Sequence, residues 1–185
     1  MAQGDIGIYA SQISGHLWAP NGAMDALATV TVPSGGAASV TFAGIPQGYK
    51  HLQIRGTWLG DLPSLNLSLR FNSDSGSNYS WHQLDGYSGS MPNPRALSAT
   101  SQTSIAAISW YSSTYPSSFV CDILDYASTS KNKTIKSLYG TSTNGGNEMA
   151  AFASGSWMNS TAPVNSITLA TSIAQGSTFS LYGVK

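Results

Sequence analysis

The sequence predicts an all-β protein, namely an antiparallel β-sandwich of jelly-roll type with about eight to ten strands and an extended N-terminal arm. Apolar and polar residues alternate in segments such as Leu65–Phe71, which places the apolar side chains on one face of a strand. Runs of Asn, Asp, Gly and Ser, as in Asn72–Asn78, predict the turns. No segment has a sustained 3.6-residue period. Because no helix-length element separates the strands, we expect antiparallel connections.

Residues 1–25 are predicted to form an extended arm, and residues 26–185 a single domain. A chain of 185 residues has the size of one domain. In the arm, short apolar pieces are mixed with Gly, Ser and Pro, so we expect it to pack on the body or on a neighbouring molecule. Its predicted apolar anchors are Ile6, Ile8, Tyr9, Leu17 and Trp18.

Alternation and turn residues locate the strands of the domain. Pro33–Gly36 separates the first two and is a hairpin signal. Residues 85–103, rich in Gly, Ser and Pro, are predicted to be a long functional or interface loop. The last strand ends one residue before Lys185, so we expect the C-terminus to be held in the core. The predicted strands are Ala26–Val32, Ala38–Phe42, Lys50–Leu59, Leu65–Phe71, Tyr79–Leu84, Ser104–Tyr111, Ser118–Tyr126, Thr134–Tyr139, Ala150–Met158, Asn165–Ala170 and Thr178–Val184.

The composition favours a protein that tolerates close neighbours of its own kind. Charged residues make up 9% of the chain, against roughly 25% in ordinary domains. Eight basic and eight acidic residues cancel, so no net charge keeps the copies apart. No basic stripe is present, which argues against nucleic acid as a partner. The one lysine cluster, Lys131, Lys133 and Lys136, is predicted to be a solvated strand end.

The chain shows no sign of membrane insertion, secretion or disulfide bonding. Its apolar runs are shorter than the roughly 20 residues needed to span a bilayer, and the N-terminus carries an acid instead of a basic signal region. The sequence therefore predicts synthesis in a cytosol. Cys121 is the single cysteine, and its apolar surroundings predict a buried thiol.

No motif indicates catalysis, so we expect a protein that is not an enzyme. Gly86–Ser90 misses the spacing of a nucleophile elbow by one residue. Asp122 and Asp125 have opposite parity on a strand, which argues against a carboxylate dyad. Asn72–Gly76 has the alternating oxygen side chains of a calcium loop but lacks the later Glu, so it predicts an Asx turn. We expect no metal and no cofactor.

Exposed aromatic residues give the sequence one candidate ligand site. Tyr111 and Tyr115 lie in a polar turn that ends at Pro116, and Tyr87 begins a Gly- and Ser-rich stretch. Aromatic rings of this kind stack on sugars, although most large aromatics of a β protein belong to its core. Tyr87, Tyr111 and Tyr115 are therefore candidates for glycan binding.

Five short segments of strand and turn residues occur in this order along the chain: Phe42–Pro46, Tyr49–Ile54, Leu69–Tyr79, Asp122–Tyr126 and Leu181–Lys185. Together they resemble a family of small virion structural proteins of tailed bacteriophages. The resemblance runs from about Ile8 to Lys185 and lies in strands and turns instead of an active site. It implies a non-enzymatic β-sandwich on the phage particle, assembled in the host cytoplasm as a homotrimer.

Two functions are compatible with this resemblance. The first is a capsid decoration (cement) protein that binds the major capsid protein, with the N-terminal arm lying across a neighbour. The second is the tip of a tail or head fibre that recognises host surface glycans through the tyrosine-rich loops. The chain has no room for a fibrous shaft, which favours decoration. A cellular lectin or an enzyme outside phages is a third class.

Overall fold

The computed structural model describes residues 22–60, 65–87, 95–108, 114–142 and 148–185. Within these ranges the chain forms β-strands and no helix, which confirms the all-β prediction. The strands are β1 (Met24–Thr31), β2 (Ala37–Ala43), β3 (His51–Trp58), β4 (Leu65–Phe71), β5 (Tyr79–Tyr87), β6 (Arg95–Ala99), β7 (Gln102–Ile108), β8 (Ser117–Leu124), β9 (Lys133–Thr141), β10 (Met149–Trp157), β11 (Ser166–Ile173) and β12 (Thr178–Val184).

The strands form two antiparallel sheets. The larger has eight strands in the order β1-β12-β3-β8-β9-β10-β5-β6, and the smaller has four in the order β2-β11-β4-β7. Every hydrogen-bonded pair of strands is antiparallel, as predicted. The sheets face each other: the Ser137 hydroxyl on β9 donates to the Ile105 carbonyl on β7, and the Trp58 indole on β3 donates to the Ser172 carbonyl on β11 at 3.4 Å.

One core lies between the sheets, and strand alternation fills it. On β8 and β9 every second side chain is buried, as their hydrophobic patterns predict. Phe71, Tyr79 and Trp157 bring an aromatic cluster to this core, with the Phe71 and Trp157 ring centroids 5.5 Å apart. Cys121 is completely buried, as predicted, and burial raises the pKa of its thiol well above the ordinary value.

The ends of the strands lie at two opposite ends of the molecule, which we call the upper end and the lower end. The upper end carries the last residues of β3, β5 and β9 and the first residues of β8 and β10, because these residues pair across the sheet. The lower end carries the start of β1 and the end of β12, where the Lys185 N–H donates to the Ala23 carbonyl at 3.0 Å. Since β12 lies between β1 and β3, the C-terminal strand is held within the sheet, as predicted.

The prediction of a loop over residues 85–103 was wrong for residues 85–87 and 95–99, which form strands, and residues 88–94 lie outside the described residues. Strand β5 continues to Tyr87, and β6 occupies Arg95–Ala99. Short strands rich in Ala, Arg and Ser have weak intrinsic β-propensity. Pairing with the open edge of β5 overrides that propensity, since an unpaired sheet edge leaves backbone groups without partners.

Lys133 contradicts the prediction of a solvated lysine cluster. Its side chain is fully buried, whereas Lys131 and Lys136 are exposed. The Lys133 ammonium donates to the carbonyls of Ser128 at 2.7 Å, Lys131 at 3.2 Å and Asn159 at 2.8 Å. It also lies 5.4 Å from the centre of the neighbouring Trp157 ring. The alternation of β9 turns this residue inwards, and the three carbonyls satisfy its donors.

The turn at Asn72–Gly76 is an Asx turn, as predicted. Asp74 accepts a hydrogen bond from the Gly76 N–H at 2.8 Å, which is the side-chain-to-backbone contact that defines such a turn. Asn72 and Ser73 both have positive φ, at 51° and 57°. These conformations let the chain reverse tightly between β4 and β5.

Candidate functional site

Four exposed apolar side chains lie in one line across the outer face of the larger sheet. Val120 on β8 pairs with Leu138 on β9, Leu138 pairs with Phe152 on β10, and Phe152 pairs with Leu84 on β5. Their exposed fractions are 39%, 64%, 45% and 44% in that order. Paired strands lie about 4.8 Å apart, so the four side chains form one continuous ridge roughly 15 Å long. We call these four residues the apolar row.

Two further rows border the apolar row on the same face. Ser118, Gly140, Ala150 and Gly86 pair with one another towards the upper end and form the small row. Asp122, Lys136, Ser154 and His82 pair towards the lower end and form the polar row. Both rows are two residues from the apolar row along each strand, so all three share the outer face. The apolar row therefore lies between the small row, whose side chains project little from the sheet, and the polar row.

The apolar row ends at β8, because the next strands carry polar residues at the same level. Arg55 on β3 pairs with Val120, and Ser180 on β12 pairs with Arg55. The Arg55 guanidinium lies 5.3 Å from the centre of the Tyr182 ring, and its Nε donates to Gln53 at 2.7 Å. Gln53 in turn donates to Asp122 at 2.7 Å. These contacts fix the polar boundary of the ridge.

Sequence analysis missed the apolar row, although each member lies within or at the end of a predicted strand. Alternation identifies which residues share a face of one strand, but the row depends on which strands are neighbours and in which register. One signal was present: Phe119–Leu124 is apolar at Val120, where the alternation calls for a polar residue.

The predicted arm anchors Ile6, Ile8, Tyr9, Leu17 and Trp18 lie outside the described residues. β1 begins at Met24, two residues before the predicted first strand. An apolar groove of about 290 Å³ lies beside β1, between the edges of the two sheets. Leu27, Val30, Phe42, Ile45 and Leu181 line it together with small neighbours.

The predicted glycan-binding tyrosines belong to the upper end as far as the structure describes them. Tyr87 is the last residue of β5. Tyr115 lies just before β8 and is 42% exposed, which confirms its predicted exposure. Tyr111 lies outside the described residues, between the end of β7 and Thr114.

A buried polar pair lies under the same end. Asp85 on β5 and Tyr139 on β9 both pair with Ala151 on β10, so all three side chains point between the sheets. Asp85 is 8% exposed and Tyr139 is 3% exposed. Among the described residues, neither the Asp85 Oδ1 nor the Tyr139 hydroxyl has a hydrogen-bond partner. Burial and then the nearby Asp85 charge raise the pKa of Tyr139 above its ordinary value.

Groups that sequence analysis considered for catalysis are engaged in structural contacts. The Asp125 N–H donates to His51 Nδ1 at 3.1 Å, and Asp125 pairs with Lys131 at 3.3 Å in the turn after β8. Asp122 belongs to the polar row, within β8. Within the described ranges, no three His, Cys, Asp or Glu side chains come together in a way that could hold a metal ion. That part of the chain also contains no helix long and apolar enough to cross a membrane.

No family model, no curated protein and no solved structure matches this chain significantly. The resemblance to phage virion proteins therefore rests on the residue phrases alone.

Proposed function

We propose that the protein is a non-enzymatic structural protein of a bacteriophage virion, and more narrowly a capsid decoration protein that binds the major capsid protein. The apolar row carries this proposal. Ordinary outer sheet faces are polar, and a contiguous apolar patch on a folded domain marks a binding surface for another macromolecule. Here the ridge lies on β-strands, which hold it rigidly in register. A rigid ridge of this kind suits assembly into a permanent lattice.

The finer architecture that we propose is a jelly roll with two inserted hairpins. Its support is a nested set of antiparallel pairs: β1 with β12, β2 with β11, β3 with β8, and β4 with β7. In such nesting, one long antiparallel ribbon of two chain segments is rolled up, so that successive strand pairs lie alternately in the larger and the smaller sheet. The hairpins β5–β6 and β9–β10 then extend the larger sheet beyond β8. Jelly rolls occur in viral capsid and lectin domains, which is support by analogy of fold only.

The position of the chain start is compatible with a decoration role. Residues 1–21 precede β1, whose first residue lies at the lower end. The loops of the upper end are at the far side of the molecule. One end can therefore engage the capsid while the other faces outwards. We propose the virion as the location on the resemblance alone, and the homotrimer that the resemblance implies stays a prediction.

Immunogold labelling of intact virions with antibody against the recombinant protein tests the proposal. We expect gold over the heads, and antibody preabsorbed with the recombinant protein is the control. Gold confined to the tail tip or fibres would contradict decoration. Unlabelled virions that contain the protein by mass spectrometry would mean that it lies inside the particle.

The second candidate function is the tip of a tail or head fibre that binds host glycans. One observation favours it: Tyr87 and Tyr115 both belong to the upper end, where Tyr115 is 42% exposed. A glycan array with the wild type and Tyr115→Ala tests it, with Tyr182→Ala on the outer face of β12 as the control. Binding lost only in Tyr115→Ala would support this function. An array without any signal would contradict it.

A further inference from the structure

We infer that the apolar row is the docking surface for a second copy of this chain, which packs on it face to face. This inference rests on the proposed function and refines it: the apolar row joins copies of the chain, and the lower end is left to engage the capsid. Three features carry it: the zero net charge of the chain, the self-complementarity of the three rows, and the area of the sheet face.

Electrostatics allow two copies to approach each other at this face. The whole chain has no net charge, so long-range repulsion between copies is small. Within the three rows, the titratable side chains are Asp122, Lys136 and His82, all in the polar row. They and Arg55, which pairs with Val120 at the β8 end of the ridge, lie at its border, so the apolar centre can be buried while these charges stay at the edge.

The three rows complement themselves under a two-fold rotation. Consider an axis parallel to the strands and midway between β9 and β10. A rotation of 180° about this axis places each row opposite the same row of the second copy, with the residues of that row in reverse order, as an isologous interface requires. Leu138 then meets Phe152 of the second copy, and Val120 meets Leu84. In the polar row, Asp122 meets His82, which brings an acid to a base.

The small row makes close packing feasible under the same rotation. Gly140 meets Ala150 of the second copy, and Ser118 meets Gly86. Since none of these side chains extends far from the sheet, the two faces can approach without a clash on that side. Two packed sheets lie about 10 Å apart, so the side chains of the two facing apolar rows fill the space between them.

The available area is that of a stable interface. Under this rotation six of the eight strands overlap, namely β3, β8, β9, β10, β5 and β6. With about 4.8 Å per strand and about 3.4 Å per residue along each strand, these six give a face of roughly 700 Å². A standard protein–protein interface covers about 600–1,000 Å² on each partner. A partner as large as a second copy can therefore cover the ridge and its borders together.

Sedimentation velocity of the full chain over a range of concentrations tests the inference. We expect the wild type to form pairs and Leu138→Lys to weaken pairing at least about thirtyfold, since central apolar contacts dominate interface energies. Leu138 is 64% exposed, so this change should leave the fold intact, which circular dichroism checks. Met158→Lys is the control, because Met158 is also exposed but lies roughly 20 Å from Phe152 along the strand direction.

Cross-linking tests the two-fold register. The single native thiol, Cys121, is buried and should not react in the folded protein. Asp122→Cys and His82→Cys should cross-link through a short bismaleimide when the two variants are mixed, and neither should cross-link alone. Cross-linking of Asp122→Cys alone would overturn this register.

The outcomes separate this inference from the proposed function. A wild type that stays monomeric, or an oligomer of any size that Leu138→Lys leaves unchanged, overturns the inference even if virion heads are labelled by antibody. Loss of pairing in Leu138→Lys together with unlabelled heads supports the inference and contradicts the proposed function.

Discussion

The indole N–H of Trp157 donates a hydrogen bond of 2.6 Å to the Asp74 carboxylate, across 83 positions of sequence. The same carboxylate accepts hydrogen bonds from the Asn78 side chain at 2.9 Å and from the Gly76 N–H at 2.8 Å. Trp157 ends β10, and Asp74 lies in the turn between β4 and β5. One carboxylate therefore ties a turn that leaves the smaller sheet to a strand of the larger sheet.

Trp157→Phe should lower the free energy of unfolding by about 2 kcal/mol, because a hydrogen bond to a charged acceptor is lost while most of the apolar contact is retained. Urea denaturation followed by fluorescence of the remaining tryptophans measures it. The same substitution in an Asp74→Asn background is the control and should cost less. Equal costs in both backgrounds would show that the hydrogen bond contributes nothing.

Acid should destabilise the protein through Asp74. Burial raises the pKa of this carboxyl, but hydrogen bonds from Trp157, Asn78 and Gly76 outweigh it and leave the pKa below the ordinary value. A carboxyl with a lowered pKa stabilises the fold fully above its unfolded value of about 4, and this contribution is lost as the pH falls through the folded pKa. Urea midpoints between pH 7 and pH 3 should fall more steeply for the wild type than for Asp74→Asn. Parallel curves would refute the assignment.

Gly183→Ala should be destabilising, whereas Gly86→Ala should be nearly neutral. A Cβ atom at Gly183 would lie 2.5 Å from the Tyr49 ring, but at Gly86 the nearest atom is the Ala150 carbonyl oxygen at 3.9 Å. Overpacking of this kind costs about 1–3 kcal/mol. Thermal unfolding of the two variants compares them directly, and similar melting temperatures would mean that Tyr49 moves aside at no cost.

Lys133→Met should lower the free energy of unfolding by about 3 kcal/mol, because three buried carbonyl oxygens lose their donor. Lys136→Met is the matched control on the same strand. Its side chain is exposed, so its effect should stay within about 0.5 kcal/mol. Chemical denaturation of both variants measures the difference. A smaller loss of unfolding free energy for Lys133→Met than for Lys136→Met would contradict a stabilising role of these three hydrogen bonds.

Sequence reasoning succeeded where one strand's own pattern determines the result. Leu65–Phe71 and Thr178–Val184 were predicted with the observed bounds, because alternation and flanking turns are local properties. It failed for Arg95–Ala99, since only pairing with β5 makes that segment a strand. Asp85 and Gly86 were assigned to a loop because both residue types disfavour strands, yet pairing with β10 holds them in β5.

The candidate surface could not be predicted for a related reason. The apolar row takes one residue from each of four strands, and in the sequence these residues are spread from Leu84 to Phe152. No local window contains these residues together. Their alignment follows from the order of strands in the larger sheet, which depends on long-range pairing.

The hydrogen bond between Lys185 and Ala23 makes this domain a natural candidate for circular permutation. In a chain without residues 1–22, a short linker between these residues would join β12 directly to β1, and the chain could then be opened in the turn at Pro33–Gly36. Every strand would keep its neighbours, while the most distant pairing in the chain would become a local hairpin. Since folding slows as contacts become more distant in sequence, the permuted chain should refold faster than the natural one.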